Sequence, residues 1–344
     1  MNVDWNSVER ILLVRLRSIG DTVLSTPTFS ALRRFLPQAE IDFLLEDWVA
    51  PVLSGLDGLG EVVTTGKTLS SRLSSIRRLR SKRYDVAVNL HGGPTSTFLM
   101  RASGAKTRIG YSYYRYAGLH THLLGSASDF WRTEKTHSAE QQLALVGAFG
   151  VPVEDRPDSV LGRDLIAEES ISRRIRDHSI DPGRIALVHP GAAFDTKRWA
   201  SEKFVSLAKE LVTRGLVPVF VGSRAEADLV AGIVQQTESE AKGWSDLSLP
   251  EVAALARKSR IFIGNDSGIA HIAAAAGTNV AVIFGSSNRH HWRPWTRQPN
   301  KLINIELPCQ PCPGYACAEF GHPRCIEEVS VEQVVSAIDD LITA

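Results

Sequence analysis

Ile11-Leu-Leu-Val-Arg15-Leu-Arg17-Ser-Ile-Gly20-Asp21-Thr-Val23 is the stretch that decides the fold. Ile11 to Leu16 is a short apolar run rich in strand formers. Polar Arg17 to Asp21 follows, and a helical pattern then runs from Val23 to Phe35, closed by Pro37. Strand, loop and helix in that order open a βαβ unit.

The pattern continues outward. Ile41 to Leu45 reads as a second strand and Val62-Val63 as a third. Asp85 to Leu90 is a stronger strand and ends at His91-Gly-Gly-Pro94. Near-continuous apolar strands alternating with helices mark a parallel sheet covered on both faces. Between Pro152 and Arg163 the pattern loosens, with Pro152, Pro157 and Gly162 close together, as at a domain junction. A helix over Leu165 to His178 then leads into a second half of the same design. Its strands are Ile185 to His189, Val217 to Val221, Arg260 to Gly264 and Val280 to Phe284. Its helices are Lys203 to Arg214, stopped by Gly215, and the small-residue run Ile269 to Ala276. Ser330 and Gln333 have capping-box spacing, and Val331, Val334, Val335, Ile338, Leu341 and Ile342 form an apolar stripe on a final helix.

The expected class is therefore α/β: two Rossmann-like domains facing across a cleft, with a C-terminal helix after a cysteine-rich segment. The expected domains are residues 1–160, 161–328 and the helix 329–344. In open parallel sheets, ligands sit beyond the carboxyl ends of the strands. The informative residues fall there: Gly20-Asp21, His91-Gly92-Gly93, Pro190-Gly191, Gly222-Ser223, Asp266-Ser267-Gly268 and Gly285-Ser286.

A length of 344 residues suits two domains, each with its own core. Hydrophobic residues make up 43% and charged ones 22%, as in folded globular proteins. The net charge of +1 names no partner, so any preference for anions must come from local clusters. No apolar run approaches a membrane span, and Arg15 and Arg17 cut the first apolar stretch too short for a signal peptide. A cytoplasmic location is expected, where disulfides are disfavoured.

Five motifs carry candidate chemistry. Asp21 lies at a helix start, where an acid caps well, which is its plain reading; a carboxylate there could also take a proton from an attacking hydroxyl, and the two roles are not exclusive. The loop Arg15 to Asp21 lacks G-x-G-x-x-G, which weighs against a dehydrogenase. In Gly264-Asn-Asp266-Ser267-Gly268-Ile-Ala-His271, free amides at a helix start suit a diphosphate. There Asp266 reads as a cap, and His271 alone reads more readily as structural than catalytic. In His189-Pro-Gly191-Ala192-Ala193, the glycine permits close backbone approach to a ligand, and Lys197 offers a mobile charge for a leaving diphosphate. Lys67 to Arg83 holds Lys67, Arg72, Arg77, Arg78, Arg80, Lys82 and Arg83 without an acid. Its plain reading is a solvated face. A one-sign patch also repels itself unless it meets anions, such as glycolipid phosphates or an anionic membrane. No nucleic-acid motif accompanies it. Finally, Cys309, Cys312, Cys317 and Cys325 have the spacing C-x2-C-x4-C-x7-C. They form a candidate structural site for zinc or iron, or four reduced thiols. The cluster reads as remote from the strand ends.

Taken in order, these blocks resemble the heptosyltransferases, glycosyltransferase family 9. The resemblance rests on Arg15 to Pro27, His189-Pro-Gly-Ala192, Lys197-Arg-Trp199, Gly222-Ser-Arg-Ala-Glu226 and Gly264 to His271, and spans nearly the whole chain. The cysteine cluster also looks like one seen in many members. The resemblance implies a GT-B fold with an acceptor domain followed by a nucleotide-sugar domain. It implies an ADP-heptose donor, a lipopolysaccharide-like phosphorylated glycolipid acceptor, inversion at the sugar carbon and no catalytic metal. By resemblance Asp21 is the base and Lys197 the cation on the donor phosphates. Gly191, Ala192, Asp266, Ser267, Gly268 and His271 bind the donor, with Glu226 near its ribose. Arg72, Arg77, Arg78 and Arg80 meet the acceptor phosphates, and the protein contacts the inner membrane surface peripherally. The loop Tyr111 to His122 follows no family pattern. Two rival readings stand: a nucleotide-sugar epimerase of GT-B architecture, and a non-catalytic glycolipid-binding protein.

Overall fold

The computed structural model describes residues 3–237, 241–312 and 315–343. The chain divides into two compact units, Met1–Gly162 and Arg163–Ala344.

The first unit holds six strands: β1 (Arg10–Val14), β2 (Glu40–Glu46), β3 (Val62–Thr65), β4 (Val86–Asn89), β5 (Thr107–Tyr111) and β6 (His122–Leu124). They form one parallel sheet in the order β3-β2-β1-β4-β5-β6. The second unit repeats the plan with β7 (Ile185–His189), β8 (Val217–Val221), β9 (Lys242–Trp244), β10 (Ile261–Asn265), β11 (Val280–Ile283) and β12 (Asn300–Ile303). Its order is β12-β11-β10-β7-β8-β9, again parallel. The fold class is α/β of the GT-B type.

Burial explains the strand sequences. Ile11 to Val14 and Ile185 to Leu187 are fully buried, because helices cover both sheet faces. Successive side chains of β7 feed opposite cores: Ala186 and Val188 pack with Trp199 and Phe204, while Ile185 and Leu187 pack with Val219 and Phe262. Each large aliphatic side chain buried in this way contributes about 1.5–3 kcal/mol.

The final helix, Val331–Thr343, belongs to the second unit's core. Val334, Ile338 and Leu341 join the cluster around Trp199, with Val331, Val335 and Ile342 at its margin. Its start is the expected capping box: the Ser330 amide donates to Gln333 Oε1 at 2.9 Å, and the Gln333 amide to Ser330 Oγ at 3.2 Å.

The expected single helix from Val23 to Phe35 is instead two. Ile19–Val23 comes first, and Thr26–Phe35 follows after a break at Leu24-Ser25. Pro27 has no N–H to continue the first ladder. Ser25 and Thr26 also turn their hydroxyls back onto the carbonyls of Thr22 and Val23, at 2.6 and 2.8 Å. The unassigned loop Tyr111 to His122 joins β5 to β6 through a short turn, Ala117–Leu119. Among the described residues, no helix is long and apolar enough to cross a membrane.

Candidate active site

Each sheet reverses its strand order next to its first strand. In the first unit that point lies between β1 and β4, and in the second between β7 and β10. Ligands of open α/β sheets gather at such points, beyond the carboxyl ends of the strands. The candidate residues sit there, in two groups.

In the first unit, Arg15 to Ser18 leave β1 and the short helix Ile19–Val23 begins. Ser18, not Asp21, is its N-cap, and Asp21 is the third residue that closes a capping box. Asp21 Oδ2 accepts from Ser18 Oγ at 3.0 Å and from the Ser18 amide at 3.3 Å. Asp21 Oδ1 is ion-paired with the Arg15 guanidinium, which also donates to the Leu90 carbonyl just after β4. The Asp21 side chain is 18% exposed, so the carboxylate is oriented by its neighbours yet reaches solvent. Capping and proton transfer are compatible at this position.

His91 lies beside this pair. Burial, then the nearby Arg15 guanidinium, pushes its imidazole down to about 4, with Arg17 adding and Asp21 opposing. The ring is therefore neutral at pH 7. The sequence placed His91 at a strand end but assigned it no chemistry; only the pairing of β1 with β4 brings it to Arg15.

The basic stretch is not the one-sign patch its sequence suggests. Its helix, Leu69–Lys82, packs near β2 and β3, whose ends supply acids. Arg78 Nε donates to Glu61 Oε1 at 2.8 Å. Lys82 Nζ lies 2.6 Å from Glu40, 3.1 Å from Glu61 and 3.2 Å from Asp42. Arg80 Nε donates to the Ala102 carbonyl at 3.0 Å. Arg78 and Arg80 are thus engaged internally, Arg77 is exposed, and Arg72 lines a pocket with Arg17 and His91.

In the second unit several of the residues expected on the donor side lie together. Lys197 Nζ lies 2.8 Å from Asp266 Oδ2. Asp266 is 6% exposed and also accepts from the Ser287 hydroxyl. Asp266 therefore does not cap the next helix; Ser267 is the N-cap of Gly268–Ala275, and no side chain caps the first amides of that helix. Those amides remain available to an anion. His271 is buried on the same helix.

His189, at the end of β7, shares a 3.1 Å hydrogen bond between Nδ1 and Ser267 Oγ. Its Nε2 faces Glu226 at 3.8 Å. His189, together with Ser223, holds the Glu226 carboxyl down at about 2. The Ser223 amide and hydroxyl each reach Glu226 Oε2 at 2.8 Å. Gly191 has no side chain for a steric reason: a Cβ there would stand 1.9 Å from Glu226 Oε1. The Ala192 carbonyl accepts from Arg198 Nη2 at 3.1 Å. Asn265 ties the two loops together, donating to the Pro190 carbonyl at 2.8 Å and accepting from the Trp199 amide at 3.1 Å.

The cysteine segment is not remote from these residues. The Cys312 amide donates to the Ser286 carbonyl at 3.0 Å, and Ser286 Oγ lies 3.0 Å from Thr196 Oγ1, next to Lys197. Gly285 permits this contact, since a Cβ would meet the Thr196 carbonyl at 2.1 Å. Cys325 is buried, and burial followed by the thiols of Cys312, Cys309 and Cys317 pushes its own thiol up to about 11. Among the described residues, however, no three His, Cys or acidic side chains are grouped closely enough to hold a metal ion.

An ion-paired, partly exposed carboxylate thus lies at one switch point, and a lysine beside uncapped helix amides at the other. Residues 72–321 match glycosyltransferase family 9 (heptosyltransferase), and the chain belongs to that family. It is 29% identical over 313 residues to lipopolysaccharide heptosyltransferase 3 of Escherichia coli, covering 84% of this chain and 86% of that protein. A glycosyltransferase family 9 structure from Veillonella parvula superposes with a TM-score of 0.84 at 20% identity, covering 100% and 99% of the two chains. The structure of Escherichia coli ADP-heptose lps heptosyltransferase II gives 0.80 at 21% identity, covering 97% and 98%. The chain is an enzyme, a glycosyltransferase.

Proposed function

We propose that this enzyme moves a heptose, or a closely related sugar, from an ADP-sugar to a hydroxyl of a lipopolysaccharide core acceptor, with inversion at the anomeric carbon. The observation that carries the reading is the cluster of Lys197, Asp266, Ser267 and the uncapped amides of Gly268–Ala275 at one strand end. A mobile cation beside free helix amides is what a departing diphosphate needs. The related proteins named as lipopolysaccharide heptosyltransferases supply the sugar and acceptor class.

In this reading the acceptor oxygen forms a bond to the anomeric carbon while the bond from that carbon to the diphosphate breaks. The hydroxyl proton passes to Asp21, whose direction is set by Arg15 and Ser18. Charge growing on ADP is met by Lys197 and by the amides of Ser267 and Gly268. Glu226 accepts the ribose hydroxyls, and Gly191, Ala192 and His271 line the nucleotide. The enzyme would work in the cytoplasm, in peripheral contact with the inner membrane. Leu69 and Leu73, 74% and 47% exposed beside Arg72 and Arg77, support such contact.

A structural zinc or iron at Cys309, Cys312, Cys317 and Cys325 is also proposed, and it requires the four thiols to close upon it. It enters no step of the transfer. Elemental analysis of the purified chain tests it: about one equivalent of metal supports the site, and none overturns it.

Donor choice tests the main reading. ADP-heptose with a truncated core glycolipid should release ADP, whereas UDP- and GDP-sugars should not react. Equal turnover of all three donors would refute the ADP-heptose assignment. Interconversion of the donor without acceptor would favour an epimerase instead.

A further inference from the structure

Glu226, His189 and Ser267 form a row of polar side chains that ends at the start of the helix Gly268–Ala275. His189 closes β7 and is 5% exposed. Its Nδ1 lies 3.1 Å from Ser267 Oγ, and its Nε2 lies 3.8 Å from Glu226 Oε2. Glu226 comes from the turn after β8 and Ser267 from the turn after β10, so the imidazole joins two loops that the chain keeps apart.

The proton positions in this row follow from its ends. Glu226 is ionised, its carboxyl held down at about 2, and an ionised carboxylate can only accept. It therefore selects the neutral imidazole with the proton on Nε2, which leaves Nδ1 as an acceptor. The Ser267 hydroxyl has one proton, and that proton must then point at His189. A second proton on the ring reverses the bond. Nδ1–H now donates to Ser267 Oγ, and the hydroxyl proton is free to serve a ligand at the helix start. Ser267 is the N-cap there and makes no hydrogen bond to the amides of its own helix. Of the other charged or titratable groups on these loops, Asp266 pairs with Lys197, Arg198 pairs with Asp195, Arg224 is exposed, and His271 is buried on the helix itself.

We propose that His189 is a positioning residue for the donor: a diphosphate at this helix start binds together with a proton on His189, which turns the Ser267 hydroxyl from the imidazole to a phosphate oxygen. That the diphosphate belongs to a sugar donor rests on the sugar-transfer reading; the proton link needs only a diphosphate diester. With the ligand bound, the imidazolium has negative charge on both sides, Glu226 at one and the diphosphate at the other, and each favours its charged form. Binding therefore takes up a proton and weakens as pH rises.

ADP-ribose is the probe, because its diphosphate diester neither gains nor loses a proton near neutral pH. Calorimetry of the full chain in buffers of different ionisation heat reads the proton uptake, which should be positive. Wild-type affinity should fall by up to about tenfold per pH unit between the His189 midpoints of the free and bound enzyme. H189Q cannot take the second proton and should bind weakly at every pH. S267A should bind about tenfold more weakly than wild type below the His189 midpoint, yet equally well at high pH, where the wild-type hydroxyl already points inward. S267T keeps the hydroxyl and should restore the wild-type profile. A histidine that only shapes the turn would give losses that do not vary with pH. Wild-type affinity independent of pH, or pH dependence retained by H189Q, would overturn the proposal. An S267A deficit of the same size at all pH values would do so as well, and that arm decides if H189Q does not fold. Failure of both ADP-ribose and ADP-heptose to bind would overturn the proposal together with the donor reading. Proton-linked ADP-ribose binding in a chain that transfers no heptose would refute the transfer reading and leave this link standing.

Discussion

Lys197 Nζ and Asp266 Oδ2 stand 2.8 Å apart, although 69 positions separate the two residues in the chain. The pair joins the turn after β7 to the loop after β10, and Asp266 is 6% exposed. Stranding one member of a buried ion pair costs about 3–5 kcal/mol. The Ser287 hydroxyl still serves Asp266, so K197A should lose less, roughly 1–3 kcal/mol of stability. Donor affinity and turnover should both fall. D266N alone should also destabilise, and the double variant K197A/D266N should recover part of the loss. A double-mutant cycle read by denaturant unfolding checks this; strictly additive losses would deny the coupling.

D21N keeps an acceptor for the Ser18 hydrogen bonds but removes the proposed base. Transfer should drop by about 10²–10⁴-fold, the usual contribution of a general base. ADP affinity should stay near wild type, because Asp21 belongs to the first unit and the proposed donor residues to the second. R15K should lower turnover more gently, since lysine lacks the second donor that now reaches Leu90. Calorimetric ADP binding beside steady-state rates separates these effects, and near-wild-type turnover of D21N would remove Asp21 from the role.

His91 gives a pH signature. Its folded value is lowered from 6.5 to about 4, so between those values the unfolded chain binds more protons than the folded one. Stability must then rise with pH across that window, and the contribution is lost as pH falls from about 6.5 toward 4. H91Q should flatten the decline in the same window. Thermal unfolding of both proteins at successive pH values reads the difference, and parallel curves would contradict it.

Gly191 is confined by the Glu226 carboxylate. G191A brings a methyl group within 1.9 Å of Glu226 Oε1, so either the carboxylate or the turn must move. A stability loss of roughly 1–3 kcal/mol follows, with a raised donor KM. E226Q/G191A should not relieve it, because glutamine fills the same volume. Donor KM and unfolding midpoints for the single and double variants decide the matter.

The inner strands were legible because burial on both faces writes them as continuous apolar runs: Ile11 to Val14, Ile185 to Val188 and Ile261 to Ile263 carry no polar alternation. Four strands were not read: β5, β6, β9 and β12. Three of these are sheet edges of three or four residues, and their sequences, such as Lys242–Trp244 and Asn300–Ile303, are too short and polar to signal a period. At the candidate site, glycines and small polar residues signalled where the strands end. Their partners were not signalled, because pairing is set by the sheet order. Glu61 reaches Arg78 from β3's side, and His189 reaches Ser267 across 78 positions. No local pattern records either contact.

The most direct measurement is mass spectrometry of a core glycolipid acceptor after incubation with ADP-heptose and the purified enzyme. The acceptor should gain the mass of one heptose, with ADP released in equal amount, and D21N should leave it unchanged. An acceptor that gains no sugar from wild-type enzyme, while the donor is consumed or rearranged, would contradict the account.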